Sequence, residues 1–163
     1  MGKVKPIPPG HHSLTPHLVV RNAAAAMDFY KKAFGAEEVL RMPGPDGKSI
    51  MHAELQIGDS RLFLVDEMPT GQCSKGPQSL GGTSVALHLW SENADATFER
   101  AVKAGATPTM PLMDAFWGDR YGRLKDPFGH EWSIATHQKD LTREEISKAG
   151  AEAFAKMGAG PKK

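Results

Sequence analysis

The chain has 163 residues, 40% apolar and 24% charged, which fits one globular domain or two small fused units and excludes disordered, collagen-like and disulfide-framework classes. Twenty basic residues against nineteen acidic ones leave a net charge of +1, too even for the positive field that nucleic acid or an anionic membrane surface requires. The longest aliphatic runs, 23–27 and 85–87, fall far short of the roughly 20 residues that cross a bilayer. Cys73 is alone and no apolar h-region follows the N-terminal lysines. The expectation is therefore a cytoplasmic protein with neither nucleic acid nor membrane as partner.

In chain order, Leu14 to Val20 predicts a strand, and Asn22 stands where a side chain caps the first free N–H groups of a helix. In that helix Ala26, Phe29, Tyr30, Ala33 and Phe34 recur at spacings of three and four; Lys31 and Lys32 suit its negative end and Gly35 its stop. Three strands follow, Glu37 to Met42, Ser49 to Ile57 and Arg61 to Val65, joined by the turn-rich 43–47 stretch and by Gly58-Asp59. Residues 69–82, rich in Gly, Ser and Pro, read as a linker.

The pattern then begins again. His17-Leu-Val-Val-Arg-Asn22-Ala-Ala-Ala25 matches His88-Leu-Trp-Ser-Glu-Asn93-Ala-Asp-Ala96 at an offset of 71, and Gly35-Ala36 matches Gly105-Ala106. Such self-similarity marks a duplicated structural unit. The second copy predicts a strand over Ser84 to Trp90, a helix over Ala94 to Ala104, and strands over Thr107 to Leu112, Arg120 to Lys125 and Glu131 to Thr136. Each unit is βαβββ. Thr142 and Glu145 then form a capping box for a terminal helix, whose Ile146, Ala149, Ala153, Phe154 and Met157 make one apolar stripe.

These features carry a resemblance to the vicinal oxygen chelate superfamily, which includes glyoxalase I, bleomycin-resistance proteins and extradiol dioxygenases. It rests on Thr15-Pro-His-Leu-Val-Val20, Ala26 to Ala36, Met51 to Gly58 and Trp117 to Trp132, with Asp126-Pro-Phe-Gly129 as its hallmark turn. The 117–132 stretch resembles the PhnB-like branch. The resemblance implies an α+β fold in which two pseudo-symmetric βαβββ modules, about 13–68 and 83–138 within a domain 13–138, form a curved mixed-sheet cup. A C-terminal helix over 139–157 completes the chain, and a homodimer is expected.

In metal-dependent members of the superfamily the ligands come from the first and last strand of each module. Counting from the glycine landmarks, those positions fall on Thr15, Leu62, Ala86 and Ser133, none of which offers the imidazole, carboxylate or thiolate that a divalent metal takes. The first reading is therefore a small-molecule-binding protein with an aromatic-lined cup, no metal cofactor and an open question of enzyme or binder. Its expected ligand contacts are His17, His88, Trp90, Phe116, Trp117, Arg120 and Tyr121, because aromatic faces and a guanidinium suit a planar or anionic molecule. One alternative is a metal-dependent lyase, isomerase or dioxygenase holding zinc or iron with His17, His88 and either Glu54 or Glu131. Another is a drug-sequestering resistance protein.

Overall fold

The computed structural model describes residues 4–68 and 75–158. Cys73 and the first part of the expected linker, 69–74, lie outside them. The first module runs β1 (His17–Val20), α1 (Ala23–Phe34), β2 (Glu37–Pro43), β3 (Ile50–Ile57) and β4 (Ser60–Asp66). A short helix α2 (Pro77–Leu80) precedes the second, β5 (Ala86–Trp90), α3 (Ala94–Ala104), β6 (Thr107–Asp114), β7 (Asp119–Lys125) and β8 (Glu131–His137), and α4 (Arg143–Gly158) follows. Each module folds into its own four-stranded mixed sheet, ordered β1-β4-β3-β2 and β5-β8-β7-β6. The class is α+β, without a closed barrel.

The duplication is structural as well as sequential. Asn22 Oδ1 accepts from the N–H of Ala25 at 3.0 Å, and Asn93 Oδ1 from that of Ala96 at 2.9 Å. Both helices end on a left-handed glycine, Gly35 at φ 68° and Gly105 at φ 118°, where a side chain would be strained. The last strand of each module also caps its helix. Asp66 accepts from Ala23 N–H at 2.7 Å, and Thr136 Oγ1 from Ala94 N–H at 2.7 Å.

Differences from expectation are local. The first strand begins at His17 rather than Leu14, because Pro16 has no N–H to offer the ladder beyond it. The fifth begins at Ala86, since Val85 N–H bonds the Thr83 hydroxyl at 3.2 Å instead. Part of the linker is the helix α2, opened by Pro77, and β6 runs on to Asp114, which pairs with Arg120.

The core lies between the sheets and their helices. Along β3 the buried residues Ala53, Leu55 and Ile57 alternate with His52, Glu54 and Gln56, so one face of the sheet meets α1 and the other faces away. Helix α1 is buried nearly all round, through Ala23, Ala26, Met27, Phe29, Tyr30, Ala33 and Phe34. It packs on its own sheet, on α3 and on the second module. Helix α4 starts with the expected capping box, Glu145 N–H donating to Thr142 Oγ1 and Thr142 N–H to Glu145 Oε2. Buried Gly150 brings it against the Phe116 ring.

Candidate functional site

His17 and His88 lie on equivalent strands, the first opening β1 and the second in the middle of β5, and parallel register sets His17 beside Phe63 and His88 beside Ser133. Both imidazoles stand on the sheet faces turned away from the helices. On the second sheet this face is aromatic. The His88 ring lies 4.6 Å from Trp90 edge-on and stacks over Tyr121 at 6.2 Å, and Tyr121 meets Trp117 at 5.2 Å. Trp90 keeps 58% of its surface exposed. His88 Nδ1 and the Ser133 hydroxyl are 2.8 Å apart, which fixes the ring. Partial burial pushes the His88 pKa below its ordinary value, against a smaller upward pull from Asp119.

Phe116 and Arg120 stand apart from this group. The Phe116 ring meets Trp117 at 4.9 Å on one side and Phe154 of α4 at 6.0 Å on the other. Arg120 neighbours Tyr121 on β7, so strand alternation sends it to the opposite face. There its guanidinium pairs with Asp95 of α3 at 2.7 Å and Asp114 at 3.4 Å. Adjacency in sequence suggested one cluster; the period of two divides it.

On the corresponding face of the first sheet His17 and Glu54 are joined by Phe63, His52 and His11, which no sequence motif marks. Phe63 is ringed by His52 at 4.9 Å, His11 at 5.8 Å and His17 at 5.9 Å. Glu54 lies 3.4 Å from His52 Nε2 and 3.5 Å from His11 Nε2. The available signal was alternation along β3, where His52 and Glu54 flank buried Ala53. Burial and the nearby His52 lower the His17 pKa.

The positions that the superfamily pattern assigns to metal ligands do not fit a metal. Leu62 is a correction in register: it is 4% exposed and points into the core, and Phe63 is the residue beside His17. The count from Gly58 and Gly129 fails because β3 and β4 are joined by Gly58-Asp59 alone, whereas Asp126 to His130 separate β7 from β8. Thr15, Phe63, Ala86 and Ser133 then supply no imidazole, carboxylate or thiolate. The alternative set is dispersed. Glu54 is engaged by His11 and His52, and Glu131 by Lys125 at 3.3 Å and Arg123 at 4.0 Å. Among the described residues no group of three His, Cys, Asp or Glu could hold a metal ion.

Two βαβββ modules with opposed helices and open sheet faces define the paired-module class, and sequence comparison gives the family. Residues 10–134 match the Glyoxalase/Bleomycin resistance protein/Dioxygenase superfamily, and the chain belongs to it. An uncharacterized protein of Mycobacterium tuberculosis is 50% identical over 139 residues, covering 84% of this chain and 81% of that one. Among solved structures, TioX from Micromonospora sp. ML1 is 29% identical, with a TM-score of 0.62 over 77% of this chain and 98% of its own. A PhnB protein from Bacillus cereus, 19% identical, shares the fold with a TM-score of 0.60 over 77% of this chain and 99% of that one.

Proposed function

We propose that this protein binds a small planar molecule on the outer face of its second sheet, with Trp90, Trp117, Tyr121 and His88 as the contacts. The observation that carries the reading is Trp90. A tryptophan more than half exposed, beside a stacked His–Tyr pair on an open sheet face, is the kind of surface that stacking ligands cover. Partial burial at His88 disfavours the charged imidazolium, so less charge has to be desolvated when a flat ring covers it.

A second copy of the chain belongs to the same reading. Val39, Leu40 and Met42 of β2 and Met110 and Met113 of β6 are exposed, and covering such edges is what a homodimer contributes. Residence in the cytoplasm is part of the proposal; no helix among the described residues is long and apolar enough to cross a membrane.

The test is a fluorescence titration with a flat heteroaromatic probe such as acridine, followed through tryptophan quenching in the wild type, Trp90→Ala and Trp117→Phe. Saturable quenching that loses about tenfold in affinity in Trp90→Ala supports the reading, a size drawn from the ~1.5 kcal/mol that aromatic stacking contributes. Equal affinity in the variant overturns it. Sedimentation analysis of the free and liganded protein tests the dimer.

A further inference from the structure

The outer face of the first sheet is covered in part by the chain's own N-terminal arm. From residue 4 to residue 14 every residue but His11 is exposed, so the arm is anchored at one point. Its hydrogen bonds, from His11 N–H to Pro8 O at 3.2 Å and between His11 Nδ1 and Pro9 O at 3.3 Å, stay within the arm. Two neighbouring residues bring it onto the sheet. The His11 ring lies edge-on to Phe63 at 5.8 Å, with its Nε2 3.5 Å from Glu54 Oε2. Gly10 lies over the Arg61 guanidinium, where a Cβ would sit 3.3 Å from Nη2 and 3.8 Å from Nε.

The arm covers these groups without satisfying them. The Glu54 side chain is only 17% exposed, yet its imidazole neighbours stand at 3.4 and 3.5 Å, beyond the ~2.7–2.9 Å of a charge-assisted hydrogen bond. Arg61 Nε and Nη1 have no hydrogen-bond partner among the described residues. Charged groups withdrawn from water and left short of partners are costly, and a ligand that supplies the partners recovers the loss. All three groups share one face, because Arg61 and Phe63 are two apart on β4 and Glu54 lies opposite Phe63 across the ladder. Glu54 and Arg61 are therefore diagonal neighbours, ~7–8 Å apart along the backbone, a gap that two long side chains can close around a small zwitterion. The matching place on the second sheet holds Arg123 opposite Ser133, so the two faces differ in ligand chemistry.

We infer that this face is a binding site for an aromatic amino acid, whose ammonium meets Glu54, whose carboxylate meets Arg61, and whose ring takes the place of His11 against Phe63. The Gly10-His11 pair is its stand-in, so the arm leaves when the ligand enters. The site is separate from the planar-molecule surface and does not depend on it. No bond is made or broken.

The experiment is an NMR titration of the full-length wild type and His11→Ala, a change in the arm that leaves the sheet intact. The probes are phenylalanine, phenethylamine, which lacks only the carboxylate, and 3-phenylpropanoate, which lacks only the ammonium. In His11→Ala phenylalanine is expected to give saturable shifts of the Glu54 and Phe63 amides, with each analogue weaker by about tenfold for its missing contact. Wild type is expected to bind phenylalanine about tenfold more weakly than His11→Ala, the size for a face uncovered in about one molecule in ten, and its arm amides shift on saturation. Arg61→Gln brings phenylalanine and phenethylamine to equal affinity. Trp90→Ala leaves the titration unchanged, so failure here and failure of the planar-probe experiment are told apart. Equal affinity of wild type and His11→Ala, phenylalanine no tighter than its analogues, shifts that map to Trp90 and Tyr121 instead, or no saturable shift overturns the inference.

Discussion

The Tyr30 hydroxyl of α1 donates to Asp126 Oδ2 at 2.6 Å, joining residues from different modules deep in the core. Asp126 also accepts from Trp132 Nε1 at 3.0 Å and from the backbone N–H groups of Phe128 and His130, each at 2.9 Å. One carboxylate thus shapes the turn before β8 and clasps the helix of the other module. Tyr30→Phe removes the clasp and leaves the turn. The expected loss is about 1.5–3 kcal/mol, the range for a hydrogen bond to a charged group, measured by urea unfolding.

Alkaline stability follows from the same pair. Burial, then Asp126, pushes the Tyr30 pKa well above its ordinary value. A raised folded pKa means that the unfolded chain releases its proton first. The contribution is complete below the unfolded value near 10 and is lost as pH rises beyond it. Wild-type stability should fall more steeply above pH ~10 than that of Tyr30→Phe.

Asp66 holds the first module together at a point of similar economy. It accepts from Ala23 N–H at the start of α1 and from Ile50 N–H at the start of β3, each at 2.7 Å. Asp66→Ala orphans both donors, with an expected cost of about 2–4 kcal/mol. Thr136→Val, the matching change in the second module, removes one bond to Ala94 N–H and one to Ser91 O. Its cost should be about 1–2 kcal/mol, because those groups stand nearer solvent. Denaturant midpoints for both variants check the ranking.

Four histidines should titrate in two groups when followed by NMR. His17, His88 and His130 lie below the ordinary value of 6.5, mainly through burial. His137 lies above it because Asp119, at 2.8 Å, and Asp140, at 3.0 Å, hydrogen-bond its ring. The signs oppose. For the lowered three, the unfolded chain binds protons first, so stability falls as pH drops from about 6.5 through their folded values. For His137 the contribution is present below 6.5 and disappears as pH rises through its folded value.

Arg120 gives a negative control for the proposed site. Its guanidinium is held by Asp95 and Asp114 on the helix side of β7. Arg120→Ala should therefore leave affinity for the planar probe within about twofold, whereas Trp90→Ala loses about tenfold. A large loss in Arg120→Ala would place the ligand on the other face.

The features legible in the sequence were those fixed by neighbours along the chain. Asn22 and Asn93, with Gly35 and Gly105, delimit the two helices where local chemistry puts them, and the H-L-x-x-x-N-A repeat announces the duplication. What escaped depends on pairing across distance. Leu62 and Phe63 exchange roles because one hairpin is shorter than the other, and a slip of one residue in a strand reverses its faces. His11 and His52 become neighbours of Phe63 only through folding. Ala23, a partner of Asp66, lies 43 residues away and Tyr30, a partner of Asp126, 96 residues away, and no local pattern names either.

The unequal hairpins carry a last consequence. Gly58-Asp59 is a bare reversal, its carboxylate engaged by neighbouring Ser60 at 2.7 Å, whereas the longer Asp126 turn reaches out and grips its sibling. The halves have therefore ceased to be interchangeable since their common origin. A tandem built from two first halves would leave Tyr30 with nothing to hold it, so any attempt to reconstruct a symmetric ancestor must begin by restoring that grip.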